Sequence, residues 1–221
     1  MIFVNLKTYE NGTGNKALEF AKNLQKLQED IDVPVTLLVQ ATDIRLLATN
    51  TTVNIWGQHM DNIVYGKSTG YILPQSLIDA GAKGTILNHA EHKLPITDLS
   101  TLINQYKKEN FGILVSGTSP EEVTVLDQLE PTFLGYEPQE YIGTKTSVVE
   151  AAADIIQSIL SKVKSPLVIG AGIHKPEHIT EGLNMGVKGF LISSDVLLSL
   201  DPVQRLKEYM LAYKDAYNSI H

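Results

Sequence analysis

Apolar residues fall in eight short runs, at positions 2–6, 35–39, 53–58, 83–88, 111–116, 131–134, 166–170 and 189–192. Within each run they are mostly consecutive rather than alternating, as parallel strands buried on both faces require. Helical spacing fills the intervals. Residues 15–30 place Ala17, Phe20, Ala21, Leu24 and Leu27 on one face, and 97–109 do the same with Leu99, Leu102, Ile103 and Tyr106. Further helices are expected over 43–50, 74–80, 120–129, 148–163, 174–185 and 201–217. Asp43 and Ser119 stand where they can cap two of them. Eight strand–helix units in strict alternation predict a parallel α/β architecture, and eight in one chain predict a closed (β/α)8 barrel. The alternative is a doubly wound open sheet. Its dinucleotide fingerprint is incomplete, because Lys175 stands where the third glycine after Gly170 and Gly172 belongs.

Composition narrows the function classes. No linker or low-complexity stretch divides the 221 residues, so a single domain over 1–221 is expected. The net charge of −7, without clustered Lys and Arg, argues against a nucleic-acid surface. It leaves an anionic small substrate open, since a local site can be positive on an acidic protein. There is no cysteine, hence no disulfide framework and no thiol chemistry. No uncharged apolar run approaches the ~18 residues of a membrane span, and the first residues turn polar too soon for a signal peptide. No membrane partner and a cytoplasmic location are the expectation.

In such a barrel, chemistry belongs at the carboxyl ends of the strands. After the first run come Asn5 and Lys7, two apart and so on one face of an extended chain. After the fourth come Asn88, His89 and Glu91. The sixth leads to Glu137, where Pro138 stops the strand for want of an amide donor. Glycine and serine follow the last two runs, at Gly170, Gly172, Ser193 and Ser194. Each has a bland alternative: Glu137 as a solvated acidic turn, His89 as a hydrogen-bonded structural histidine, Lys7 as a surface lysine. Lys, His and Glu converging on one barrel mouth favour a catalytic set. Small residues after strands seven and eight expose amides that can hold a phosphate. Glu140 competes with Glu137 as a base, but a base needs fixed reach of about 3 Å to its proton, which favours the strand-end residue. His174 and His178 have i, i+4 spacing, yet without a third matched ligand they read as surface histidines rather than metal ligands.

Asn5-Leu6-Lys7-Thr8-Tyr9, Leu87-Asn88-His89-Ala90-Glu91 and Tyr136-Glu137-Pro138 through Ile142-Gly143-Thr144 resemble three motifs of the triosephosphate isomerases. Thr69-Gly70 and Gly170-Ala171-Gly172 fit in order, and the short length is similar to the archaeal branch. The resemblance implies interconversion of glyceraldehyde 3-phosphate and dihydroxyacetone phosphate, a step of glycolysis and gluconeogenesis, with no metal or cofactor. It implies Glu137 as base, His89 as neutral electrophile and proton shuttle, and Lys7 with Asn5 facing the developing charge. Glu91 would orient Lys7, and amides at Gly143, Gly172, Ser193 and Ser194 would hold the phosphate. Residues 138–144 would form a moving lid. The loop 59–71, with Thr69 near the partner's site, would build a homodimer, with a tetramer as a further option. Three residues depart from the pattern: Ala90 where serine is usual, Lys145 where glycine is common, and Asp195 beside the phosphate loop. Asp195 is expected to point away, capping the next helix. Two rival readings remain: another phosphate-binding barrel isomerase or lyase, and a non-catalytic barrel binding a phosphorylated metabolite or a protein.

Overall fold

A computed structural model describes residues 1–144 and 146–220. Its eight strands are β1 (Ile2–Asn5), β2 (Val35–Val39), β3 (Asn54–Gly57), β4 (Gly84–Leu87), β5 (Gly112–Gly117), β6 (Phe133–Tyr136), β7 (Leu167–Gly170) and β8 (Gly189–Ile192). They pair in parallel, in sequence order, and β1 closes on β8 with Ile2 opposite Phe190 and Val4 opposite Ile192. This is the closed (β/α)8 barrel; the open sheet is excluded.

Two cores explain the unbroken apolar runs. One lies between strands and helices and includes Ile2, Val4, Leu37, Ile113 and Ile169. The other is a separate cluster of Phe3, Leu38, Trp56, Ile86, Leu114, Val168 and Leu191, which fills the barrel interior. Phe3, Trp56 and Phe133 meet edge-on or tilted, with ring centroids 5.3–6.2 Å apart. Gly84 and Gly112 make room for the indole, since a Cβ added at Gly112 would lie 2.2 Å from Trp56. Side chains two residues further along a strand share its face. Above this apolar layer the same rows continue to Asn5, Gln40, Gln58, Asn88, Ser116, Gly170 and Ser193. The barrel's mouth turns polar because the same period-two rows end in polar or small residues.

The helices are α1 (Gly14–Asp30), α2 (Ile44–Asn50), α3 (Pro74–Ala80), α4 (Ile96–Tyr106), α5 (Pro120–Asp127), α6 (Val148–Ala151), α7 (Ala153–Leu160), α8 (Pro176–Met185), α9 (Ser194–Leu197) and α10 (Pro202–Ile220). Ser119 caps α5, accepting from the Glu122 amide. Asp43 makes no side-chain cap on α2 and instead accepts from the Gly14 amide. Several boundaries differ from the sequence expectation. Strand six begins at Phe133, two residues late, because Pro131 offers no ladder donor. The expected helix over 148–163 breaks at Ala152 (φ −133°, ψ 28°). The last strand is followed by the short helix α9, which the serine-rich ending concealed. No described helix is long and apolar enough to cross a membrane.

Candidate active site

Glu137 follows β6 directly and is buried, 5% exposed. Its amide bonds the Gly117 carbonyl at 2.9 Å, and the Ser116 hydroxyl donates to Oε1 at 2.6 Å. A Cβ added at Gly170 would lie 2.8 Å from Oε2, so the carboxylate occupies space that only glycine leaves. The carboxylate is therefore gripped from β5 and β7, and its second oxygen faces His89 Nε2 at 3.7 Å. Glu140 is exposed, on a 3-10 turn over Gln139–Tyr141. That leaves Glu137 as the fixed carboxylate.

His89 is also buried, at 7% exposure. The Glu91 amide donates to its Nδ1 at 3.1 Å. Nδ1 must then present its lone pair, which assigns a neutral ring with the proton on Nε2, toward Glu137. Asn88 holds this turn from below in a left-handed conformation, φ 59°. Its side-chain amide donates to the Ser116 carbonyl and to Glu122, each at 2.9 Å, and accepts from the Leu94 amide at 3.0 Å. Burial alone would raise the Glu122 pKa. Bonds from Lys93, the Thr118 amide and Asn88 outweigh it and pull the carboxyl down to about 2, so its charge persists under ordinary conditions.

Lys7 carries the third group. It too is left-handed, φ 46°, a strain of about 1–3 kcal/mol for a side chain of this kind. Its amide bonds Asn5 Oδ1 at 3.0 Å, and Gln58 Nε2 donates to its carbonyl at 3.0 Å. The ammonium meets Glu91 Oε1 at 2.6 Å. One narrow pocket is lined by Asn5, Lys7, His89, Glu137, Gly143, Gly172, Ser193 and Ser194 together. Of the site residues expected from the sequence, only Glu91 is outside its wall, and it contacts the pocket through Lys7 and His89.

The loops after β7 and β8 are tied to their neighbours. Ala171 and Gly172 are both left-handed, φ 78° and 67°. The Ala171 carbonyl accepts from the Val148 amide at 3.2 Å, where the lid's far stem joins α6. Ser193 Oγ donates to the Asn5 carbonyl at 2.7 Å, which leaves backbone amides rather than that hydroxyl for a ligand.

Two expectations are corrected. His178 is not a surface histidine: it is 1% exposed, with Nε2 3.1 Å from Glu150 Oε1. Helix α8 turns it inward, while His174, half-buried, bonds the Gly172 carbonyl through Nδ1 at 2.6 Å. Asp195 does not cap the next helix. Its Oδ2 accepts from Arg205 Nε at 2.7 Å and the Tyr209 hydroxyl at 2.5 Å, and that charge pairing is stronger than a cap. Ser116, Gln58 and Arg205 were missed as site residues. Ser116 and Gln58 lie two residues beyond an apolar interior position, which was the available signal. Lys145 lies outside the described residues.

A family model for triosephosphate isomerase matches residues 1–115, and one for the thiazole biosynthesis protein ThiG matches residues 139–219. The triosephosphate isomerase of Methanocaldococcus jannaschii is 30% identical over 213 residues, covering 94% of this chain and 97% of that protein. The Sulfurisphaera tokodaii enzyme is 31% identical over 215 residues, covering 96% and 94%. That of Thermoplasma volcanium is 32% identical over 208 residues, covering 93% and 96%. With relatives of one kind matched from end to end, and the lysine, histidine and glutamate of the resemblance gathered in one pocket, the chain belongs to the triosephosphate isomerase family.

Proposed function

We propose that this chain interconverts D-glyceraldehyde 3-phosphate and dihydroxyacetone phosphate through an enediolate. The observation that carries the reading is the facing pair: buried Glu137 with Oε2 3.7 Å from Nε2 of His89. That gap exceeds a hydrogen bond. A hydroxycarbonyl carbon beside the carboxylate and its oxygen beside the imidazole complete the pair. Glu137 removes the proton on the carbon next to the carbonyl, and the electron pair moves onto the carbonyl oxygen. His89 donates to that oxygen, and the ammonium of Lys7 offsets the growing charge. His89, having given up its Nε2 proton, takes the proton of the neighbouring hydroxyl, and return of the proton from Glu137 to the former carbonyl carbon completes the exchange of aldehyde for ketone. The substrate's own carbonyl takes the electrons, so the scheme uses no metal or cofactor. Amides at Gly143, Gly172, Ser193 and Ser194 hold the phosphate, with Asn5 as a further donor. The segment matched by the thiazole model begins at residue 139, past all three reacting groups, so it favours no other base. A coupled isomerase assay tests the reading, and a rate equal to that of an empty preparation would remove it.

Ser116 is the support on which Glu137 depends most. Position 90 is alanine and offers no hydroxyl, and the carboxylate has that of Ser116 on β5. Ser116→Ala is expected to lower kcat roughly tenfold while KM holds, since a hydrogen bond to a buried charge is worth about 1.5–3 kcal/mol. Steady-state kinetics on the variant check this.

The assembly is proposed to be a homodimer through the loop 59–71. Val64, Tyr65 and Tyr71 are 74%, 73% and 62% exposed, more apolar surface than a loop of this length ordinarily shows to water. A groove of about 710 Å³ opens beside Lys7, His89 and Glu91, and in this proposal it receives the same loop of a second copy. Light scattering is expected to give twice the chain's mass, or four times if two dimers join. A single-chain mass at micromolar concentration would contradict the assembly and leave the chemistry standing. A cytoplasmic location is part of the same proposal.

A further inference from the structure

Asp195 stands in the wall of the pocket that also holds Gly172, Ser193 and Ser194. An unpaired carboxylate there would repel a phosphate dianion. The charge is met from behind. Arg205 Nε and the Tyr209 hydroxyl both donate to Asp195 Oδ2, at 2.7 and 2.5 Å. Burial first, and then the neighbouring carboxylate, push the Tyr209 pKa far up, so the hydroxyl stays a donor. Arg205 reaches further. Its Nη2 donates to the His174 carbonyl at 2.6 Å, and its Nη1 to Glu208 at 2.7 Å. His174 in turn bonds the Gly172 carbonyl. One guanidinium on α10 thus spans the segment after β7 and the segment after β8. Lysine cannot do this, because it is a point charge without a planar fork.

We propose that Arg205 is a positioning residue for phosphate binding. It cancels the charge of Asp195 at the pocket wall and locks together the two segments whose amides hold the phosphate. The inference rests on the reading of Gly172, Ser193 and Ser194 as phosphate donors. Arg205 itself touches no substrate. Its side chain is 24% exposed and that of Asp195 25%, so the pair is partly screened. The consequence of losing it lies less in the pair's own energy than in the net charge left beside a dianion.

The test uses the full chain and inorganic phosphate as probe, with binding read from the thermal shift and from competitive inhibition. Arg205→Met is expected to raise KM and the phosphate dissociation constant roughly tenfold, the scale of one charge acting on a dianion across a partly solvated gap. The effect falls on these constants rather than on kcat. Adding Asp195→Asn to Arg205→Met is expected to recover most of the loss, because the repelling charge is gone. Asp195→Asn alone removes one negative charge from the pocket wall while Arg205 keeps its pair with Glu208, and is expected to tighten phosphate a few-fold, which keeps the test decisive even where Arg205→Met does not fold. Unchanged phosphate binding in Asp195→Asn, or a loss in Arg205→Met that the second substitution does not relieve, would overturn the inference. The thermal shift needs no turnover. A wild-type chain that binds phosphate without isomerising triose would sink the functional reading and leave this one testable.

Discussion

Glu137→Gln is expected to lower kcat by about 10²–10⁴-fold, the usual span for loss of a general base, with KM little changed. Glutamine keeps the shape, so it still accepts from Ser116 Oγ and fills the space above Gly170. What it lacks is the ability to take a proton. A loss confined to kcat is therefore the signature of the carboxylate acting only in the reaction step. Steady-state rates in both directions give the measurement. An unchanged kcat would place the base elsewhere, with Glu140 on the lid as the next residue to replace. Burial matters as much as position. At 5% exposure the carboxylate is shielded from water, and its geometry is set by β5 and β7 rather than by the lid.

Gly172→Ala carries the second large effect. Gly172 is left-handed, φ 67°, and an added Cβ would lie 1.8 Å from the Thr146 carbonyl oxygen and 3.1 Å from Ser147 Cα. No side-chain rotation relieves a clash with backbone. Either the segment after β7 or the stem leading into α6 must shift. Left-handed strain and overpacking together are expected to destabilise the fold by about 2–4 kcal/mol. Because the shifted amides are those proposed to hold phosphate, KM is expected to rise more than tenfold as well. Denaturant midpoints and substrate titration read the two parts separately. A variant with native stability and native KM would mean that this close approach has no role.

The barrel was legible because parallel strands buried on both faces write continuous apolar runs, and each run here ends in polar or small residues. Lys7, His89 and Glu137 could be singled out for the same reason: they are ionisable groups at strand ends. The supports were harder to see. Ser116 is an ordinary serine closing an apolar run, and only the structure shows its hydroxyl on Glu137. Arg205 lies 31 residues beyond the carbonyl it holds, a contact no local pattern announces. His178 was misread because the spacing does not say which face of α8 is buried, and α8 starts only at Pro176, which leaves His174 outside it. Asp195 looked like a threat to phosphate until its partner on α10 came into view. Helix limits failed where a proline or a backbone break, at Pro176 and Ala152, decided the ends rather than apolar spacing.

The central claim is that Glu137 moves a carbon-bound proton between neighbouring carbons of a phosphorylated triose. Incubation of dihydroxyacetone phosphate with the chain in D2O, followed by NMR, tests it most directly. The account predicts glyceraldehyde 3-phosphate formed far more slowly by Glu137→Gln, with whatever solvent deuterium Glu137 picks up before returning its proton confined to the carbon beside the aldehyde. Substrate returned unchanged, deuterium entering at the phosphate-bearing carbon, or a native rate in Glu137→Gln would contradict it.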